Sequence, residues 1–435
     1  MTQRISFTNF LIWAIALHAL YLAYTLVQGP ALLNDSREYL IQALNISKGY
    51  LAYCGDTSLP VNYFDYSKRP PFYPFLLWLS GANYFWWGIL LLQNLLSVWV
   101  LSRLRSILLR LGVYRPLWFG LIVSSSVPYF VYVNSIMSEI LLIAAVTGML
   151  WSYFRFWLQP GVRWVWLYNT FLLVAVFTKP VFFPFLAINL AFWGIFYRKY
   201  AWGSLLPLLI VALFFWRNKE VTGKAHFSSI AYINLLDYNA YYFNVESKGA
   251  DYANQVADAA HQRLNDIDGF PAKVQYMQDV ALNEISRDEL AYFWFHLKGA
   301  FRGMLDPGNF DLRSFLGEGT STSSGFLKAL NEKGWSAIPD VLSQMSWQLF
   351  VLMAVSLLNK LLLMVGFVFF ILRQSFHPLW KWFLTGLVFY VVLITGPINA
   401  SRFMLAVWPV MVLCFMQAFL PPAGDYRNSS SAITG

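Results

Sequence analysis

Apolar runs of membrane length recur along this chain and limit what it can fold into. We read about ten, at approximately 8–28, 83–102, 116–134, 138–158, 164–178, 181–197, 202–216, 350–372, 380–396 and 403–420. Each holds about 15–25 residues, close to what a helix needs to cross the hydrocarbon core. The stretch 164–197 is split at Thr178-Lys179-Pro180, because a lysine followed by proline is costly in lipid and marks a turn. Of the 435 residues, 58% are hydrophobic and only 12% charged. That balance excludes a soluble globular protein, a disordered chain, a collagen and a coiled coil. Long runs, not short alternating segments, exclude a membrane barrel. The expected class is an all-α polytopic membrane protein.

The runs divide the chain into four parts. Residues 1–216 carry crossings one to seven, with a first outer loop at about 29–82. Residues 217–345 are hydrophilic and read as a mostly helical domain outside the cytoplasm. Residues 346–420 carry crossings eight to ten, and 421–435 form a cytoplasmic tail. The first run, about Phe10 to Val27, has no small-residue cleavage site and reads as a retained anchor. Cys54 sits in a polar loop and Cys414 in an apolar run, so a disulfide framework is not expected. His18, His226, His261, His296 and His377 are scattered without metal-ligand spacing.

Charge placement orients the chain. With the N-terminus cytoplasmic, the inner segments hold Arg4, Arg103, Arg105, Arg110, Arg115, Arg155, Arg163, Arg198, Lys199, Arg373, Lys381 and Arg427 against Asp425 alone. This is the positive-inside pattern. The net charge of +9 therefore reflects topology, and no nucleic-acid partner is expected. The segment 217–345 holds 16 of the 22 acidic residues. Five others, Asp35, Glu38, Asp56, Asp65 and Glu139, fall in the first two outer loops. Carboxylates that close to a membrane are expensive, so their placement points to function.

Four features there bear on chemistry. Asp35, in LLNDSREYL, closely follows the first crossing. A helix after it has Leu40, Ile41 and Leu44 on an apolar face and Gly49 to end it. Tyr39 lies one turn beyond Asp35 on the same side, with Glu38 beside it. An aspartate so placed suits a general base acting on a hydroxyl at the membrane surface. The same Asp-x-x-Glu spacing fits a capping box, in which Asp35 does no more than cap the helix. Lys68-Arg69 precedes a short, proline-rich apolar segment, Pro70 to Leu79, suited to lying at the surface. Arg69 there fits a lipid phosphate, or an interfacial anchor. Glu139, after Ser138, opens the fourth crossing; it serves the helix dipole or orients a ligand. Lys179 and Arg402 stand at outer helix ends, where they snorkel or neutralise a leaving phosphate. Lys360 lies deeper, in SLLNKLLLMV, with no role assigned. Asn45-Ile46-Ser47 is a glycosylation triplet of the kind that arises by chance. The stretch Gly317 to Gly325 reads as a flexible loop, and Pro271 as the opening of a helix with Val274, Met277, Val280 and Ala281 on one face.

The order of these landmarks is a first crossing, Asp35-x-x-x-Tyr39, a loop ending Arg69-Pro70-Pro71-x-Tyr73-Pro74, then Ser138-Glu139. It resembles the GT-C superfamily of integral-membrane glycosyltransferases, in its branch of protein O-mannosyltransferases and the bacterial aminoarabinose transferase of lipid A. The segment at about 217–244 is similar to the one after the seventh crossing in bacterial members. Arg402-Phe403-Met404-x-x-x-Trp408-Pro409 resembles their entry to the final helix. Two positions depart from the pattern. Ser36 stands where the family often has Glu. Glu38 stands where the aminoarabinose branch has Arg, with Arg37 adjacent.

The resemblance implies a GT-C-like bundle of about ten helices that moves a sugar from a polyprenyl-phosphate carrier to an acceptor hydroxyl on the outer face. Asp35 would be the catalytic base. Arg69 would contact the donor phosphate, with Lys179, Arg402 and Arg37 as further cations. Tyr39, Glu139 and Glu38 would orient the acceptor or the base, and Phe72, Tyr73 and Trp78 would line a groove for the lipid tail. The expected partners are membrane lipid, the lipid-linked sugar, and a glycan, lipid or protein acceptor. No cofactor is required by this scheme, and a divalent metal remains compatible with it. The expected location is a bacterial inner membrane with the site facing out. Two other readings stand beside it. A diphosphate-carrier ligase or polymerase would lean on arginines more than on Asp35. A transporter or lipid flippase would place charged or broken helices near the bilayer midplane.

Overall fold

The computed structural model describes residues 7–318, 345–373, 377–397 and 400–419, with Ser336 and Pro339. The 421–435 tail and all but the first two residues of the Gly317 to Gly325 loop lie outside the described residues. The chain begins with α1 (Phe7–Gln28), α2 (Ser36–Ser47), α3 (Phe72–Leu79), α4 (Trp86–Arg110), α5 (Pro116–Ser124) and α6 (Val127–Val133). It continues through α7 (Glu139–Leu158), α8 (Val162–Thr178), α9 (Phe185–Phe196) and α10 (Leu205–Thr222). The segment after α10 holds α11 (Ile230–Ile233), α12 (Tyr241–Lys248), α13 (Ala250–Asn265), α14 (Phe270–Ser286), α15 (Glu289–Leu305) and α16 (Asn309–Leu316). Then come α17 (Trp347–Leu372), α18 (Pro378–Thr395), α19 (Ser401–Met404) and α20 (Trp408–Phe419). Among the described residues the only β pairing is two isolated bridges, Ala31 with Ser135 and Tyr53 with Tyr66. The protein is all-α and multi-pass.

Among the described residues seven helices are long and apolar enough to cross a membrane: α1, α4, α7, Arg198–Thr222, α17, α18 and the unit Ser401–Phe419. The remaining three of the ten expected runs take other forms. The run at 116–134 is two helices, α5 and α6, bent by 66°. The break sits at Ser125 and Ser126, whose hydroxyls bond back to Leu121 O (2.7 Å) and Ile122 O (2.8 Å). Such back-bonding competes with the helix ladder. Asn359 of α17 donates to the same Ile122 carbonyl at 2.8 Å, which stitches the bend to its neighbour. The runs at 164–178 and 181–197 are the shorter apolar helices Val162–Thr178 and Pro180–Phe196. They part at Lys179, as the lysine-proline pair predicts.

Burial identifies the centre. The apolar windows of α7 and of Ser401–Phe419 are 83% buried, against 22% for α1. The other spans pack around these two. Buried polar side chains join spans where apolar contact alone is weak glue in lipid. Asn94 donates to Asn134 at 3.0 Å, Asn189 to Asn169 at 3.1 Å, and His18 Nε2 lies 2.6 Å from Ser97 Oγ.

The helices between α10 and α15 have their own small core of Leu236, Ala240, Ala260, Leu264, Met277 and Ala281. Pro271 lies in the first turn of α14, which buries Val274, Met277 and Ala281 as its spacing predicts. This part docks on the loop between α2 and α3. Ser228 donates to Lys68 O at 2.9 Å, and Asn218 accepts from Ser67 Oγ at 2.7 Å. The α15 helix reaches back to α18, where His296 Nε2 meets Leu393 O at 2.7 Å. Gly299 makes that approach possible, since an added Cβ would stand 1.7 Å from Pro397 O. Backbone cannot yield as a side-chain tip does. Gly299→Ala is therefore expected to cost about 1–3 kcal/mol of stability, read as a lower melting temperature in detergent. An unchanged melting temperature would show that α15 does not rest on α18.

Candidate functional site

Five chain segments meet at one end of the bundle: the turn into α2, the loop before α3, the start of α7, the exit of α8 and the start of α19. Asp35 is the hub. It occupies the N-cap position of α2, yet its side chain makes no capping hydrogen bond there. The carboxylate turns to three cations instead. Oδ1 accepts from Arg69 Nη2 at 2.9 Å, and Oδ2 from Arg402 Nη1 at 3.2 Å. Lys179 Nζ lies 3.6 Å from Oδ2. Asp35 is only 4% exposed. Burial pushes its carboxyl up, but Arg402, then Lys179 and Arg69, outweigh burial and hold it well below the usual carboxylate range.

A second ring of charge surrounds this hub. Arg69 Nε donates to Glu38 Oε2, and Lys68 donates to Glu38 Oε1 at 2.7 Å. Lys179 bridges to Glu139 Oε1 at 3.0 Å. The other Glu139 oxygen, Oε2, is buried with no protein hydrogen-bond partner. Four cations, Lys68, Arg69, Lys179 and Arg402, thus pair with three carboxylates, Asp35, Glu38 and Glu139. Each cation has a carboxylate partner, and an anionic ligand entering the cluster would compete with those carboxylates for them.

The aromatic floor is Tyr39. Its hydroxyl lies 2.9 Å from Ser138 Oγ. Arg69 and Lys179 stand 5.8 and 5.9 Å from its ring centre, within cation-π range. Tyr73 packs edge-on against Tyr39 and donates to Gln93 Oε1 at 2.8 Å. Gln93 in turn donates to Val133 O and Ser135 O, both at 2.8 Å.

Arg69 is held by its backbone as well as by its partners. Ser67, two residues earlier, adopts φ 58, the left-handed region that costs a non-glycine residue energy. Its N–H donates to Ala52 O at 2.7 Å, and Gln42 donates to Arg69 O at 3.2 Å. The strained turn aims Lys68 and Arg69 at the cluster. The hydrophilic residues Ser67, Gln42 and Gln93 carry no sequence signal that separates them from ordinary loop and helix polar residues.

Asp35, Glu38, Tyr39, Arg69, Glu139, Lys179 and Arg402 are therefore brought together. Arg37 is not: it is exposed on the opposite face of α2. Of the three aromatic candidates, Tyr73 is buried in the core, Phe72 is half-buried, and Trp78 is 40% exposed beside Phe75. Lys360 donates to Asp306 O, beside the start of α19. Among the described residues, no three of His, Cys, Asp and Glu gather as metal ligands.

The pairing of Asp35 sets a pH dependence. A carboxylate whose pKa is lowered on folding stabilises above its unfolded pKa, and that stability is lost as pH falls through the folded value. Wild-type melting temperature is expected to fall more steeply than that of Asp35→Asn as pH drops below about 4. Parallel curves would show that Asp35 is not ion-paired.

No protein-family model matches the chain, and no curated protein matches it. Two solved structures are similar. One is the crystal structure of ArnT from Cupriavidus metallidurans bound to undecaprenyl phosphate. It is 13% identical at a TM-score of 0.40, covering 94% of this chain and 77% of that one. The other is the same protein in the apo state, also 13% identical, at a TM-score of 0.36, covering 93% and 77%. Likeness at this level establishes neither fold nor activity, so the functional reading rests on the residues above.

Proposed function

We propose that this chain is an inverting glycosyltransferase of the GT-C type, which moves a sugar from a polyprenyl-phosphate carrier to an acceptor hydroxyl on the outer face of the membrane. One observation carries the reading. A single buried carboxylate, Asp35, is clasped by the three cations Arg69, Lys179 and Arg402.

With its cations in place Asp35 is a poor base, because its lowered pKa makes it slow to accept a proton. A carrier phosphate changes this. It competes for the same three cations, and each cation it draws away raises the basicity of Asp35. The base is then armed only when donor is bound. Asp35 takes the proton of the acceptor hydroxyl, and the freed oxygen attacks the anomeric carbon. The bond from that carbon to the phosphate oxygen breaks, and its electron pair leaves with the polyprenyl phosphate. The departing phosphate gains a second negative charge, which Arg69, Lys179 and Arg402 stabilise without a proton. One carboxylate suffices, unlike the paired carboxylates of glycoside hydrolysis. Glu139, whose free oxygen faces no protein donor, would orient the acceptor. The helical outer part would select it.

Attack from the side opposite the phosphate inverts configuration. An anomerically pure donor is therefore expected to give product of the opposite configuration, read by proton NMR coupling constants. Retention would remove the single-base scheme, since it requires two successive displacements. The diphosphate-carrier reading draws on the same cations, and donor choice separates the two.

A further inference from the structure

Lys360 has no part in the cluster around Asp35, yet it is tied to it through one short segment. Its Nζ donates to Asp306 O, and Ser356, one turn earlier on α17, donates to Pro307 O at 2.9 Å. The turn Asp306-Pro307-Gly308 is thus fixed to α17 from one side. From the other side it grips the start of α19. Asp306 Oδ2 accepts from Ser401 N at 2.8 Å, and Asp311 Oδ2 accepts from Ser401 Oγ at 3.0 Å. Asp306 Oδ1 accepts from Gly308 N at 3.0 Å, which closes the turn on itself. Gly308 has φ +85, and an added Cβ would lie 2.9 Å from Ser401 Oγ, so the fit there tolerates no side chain. Ser401 is 1% exposed and Asp311 7%. The next residue is Arg402, which reaches Asp35.

We infer that Asp306 and Asp311 are positioning residues for Arg402: through Ser401 they fix the first turn of the last span, and so deliver the guanidinium to the carrier phosphate. The consequence for catalysis rests on the proposed function; the positioning itself does not. A buried acid, Asp311, beside a half-buried one, Asp306, needs a reason. Burial pushes the Asp311 carboxyl up to about 6, and the neighbouring Asp306 adds to the rise. A neutral residue would be cheaper there if only packing mattered. The anchor also acts when it is most needed. While the site is empty, Asp35 holds Arg402 by its side chain. Once a phosphate takes Arg402 from Asp35, the grip on Ser401 still fixes its backbone. A phosphate-stabilising cation works only within about 0.5 Å of its productive place.

The test is a mutant cycle on purified protein in detergent, with two readouts. The first is the rate at which phenylglyoxal modifies Arg402, followed by mass spectrometry of its peptide without ligand. The second is the affinity for undecaprenyl phosphate. Asp311→Ala and Ser401→Ala are expected to speed modification about five-fold and weaken binding about ten-fold, and the binding loss should vanish in an Arg402→Ala background. Asp311→Asn, which keeps an acceptor oxygen for Ser401, should restore most of the affinity. Should Asp311→Ala fail to fold, Ser401→Ala removes only a hydroxyl and decides alone. Unchanged Arg402 reactivity, or binding losses that add to that of Arg402→Ala, would overturn the inference. If the wild type binds no undecaprenyl phosphate, the proposed function fails, and Arg402 reactivity still decides the positioning role.

Discussion

Asp35→Asn is expected to lose nearly all transfer while holding the carrier phosphate at least as tightly as the wild type. The two halves follow from one geometry. As the proposed base, Asp35 would account for a proton transfer whose loss costs about 10²–10⁴ in kcat. As the partner of Arg69, Lys179 and Arg402, it competes with the phosphate for cations. Replacing the carboxylate with an amide of the same shape removes the competitor and leaves the cations. Arg69 and Lys179 keep Glu38 and Glu139 as counter-charges, so the cluster does not fly apart. The measurement is a paired one: Kd for undecaprenyl phosphate and single-turnover transfer rate, at matched melting temperature. Full activity in the variant would show that Asp35 is not the base. Loss of binding together with loss of transfer would make it a scaffold for the cations.

Arg69→Ala is expected to lower kcat/KM by about 10²–10³, the usual cost of removing one preorganised donor from a developing negative charge. The effect has two sources. The phosphate loses a cation, and Asp35 and Glu38 lose the group that spans them. Arg69 reaches Asp35 through Nη2 and Glu38 through Nε. A lysine ammonium is a single point and cannot span both. Arg69→Lys should therefore recover little of the loss, measured as initial rate at donor concentrations below KM. Full rescue by lysine would mean that charge alone matters there. A silent Arg69→Ala would leave Lys68 and Lys179 as the only phosphate cations on that side.

Much of the architecture was legible because lipid imposes length. Runs of about 20 apolar residues have few alternatives to a crossing helix. Lys179-Pro180 marked a real break for the same reason, since neither residue continues a helix in hydrocarbon. The bend between α5 and α6 was not legible. Ser125 and Ser126 sit inside an unbroken apolar run, and the carbonyl they compete for is also bonded by Asn359, 237 residues away. The site shows the same limit. The position of Asp35 just beyond the first span marked it out, but a capping box remained open on spacing alone. What separates the two roles is the direction of the side chain, and its Arg402 partner lies 367 residues along the chain. Arg37 illustrates the converse. Two residues beyond Asp35 is about 200° around a helix, which places it on the far face of α2. Tyr73 reads as a groove residue in an aromatic run, yet its hydroxyl is spent on Gln93. Asp306 and Asp311 lie in a region rich in acids, where nothing local distinguishes a half-buried or buried carboxylate from a solvated one.

The central claim is transfer from a monophosphate carrier, and the direct measurement offers membranes holding the wild type a panel of radiolabelled polyprenyl-phosphate sugars, with diphosphate-linked sugars alongside. The account predicts that one monophosphate donor is consumed, that free polyprenyl phosphate appears in step with glycosylated product, and that membranes lacking the protein do neither. Consumption of diphosphate-linked donors alone, or of no donor at all, would contradict it.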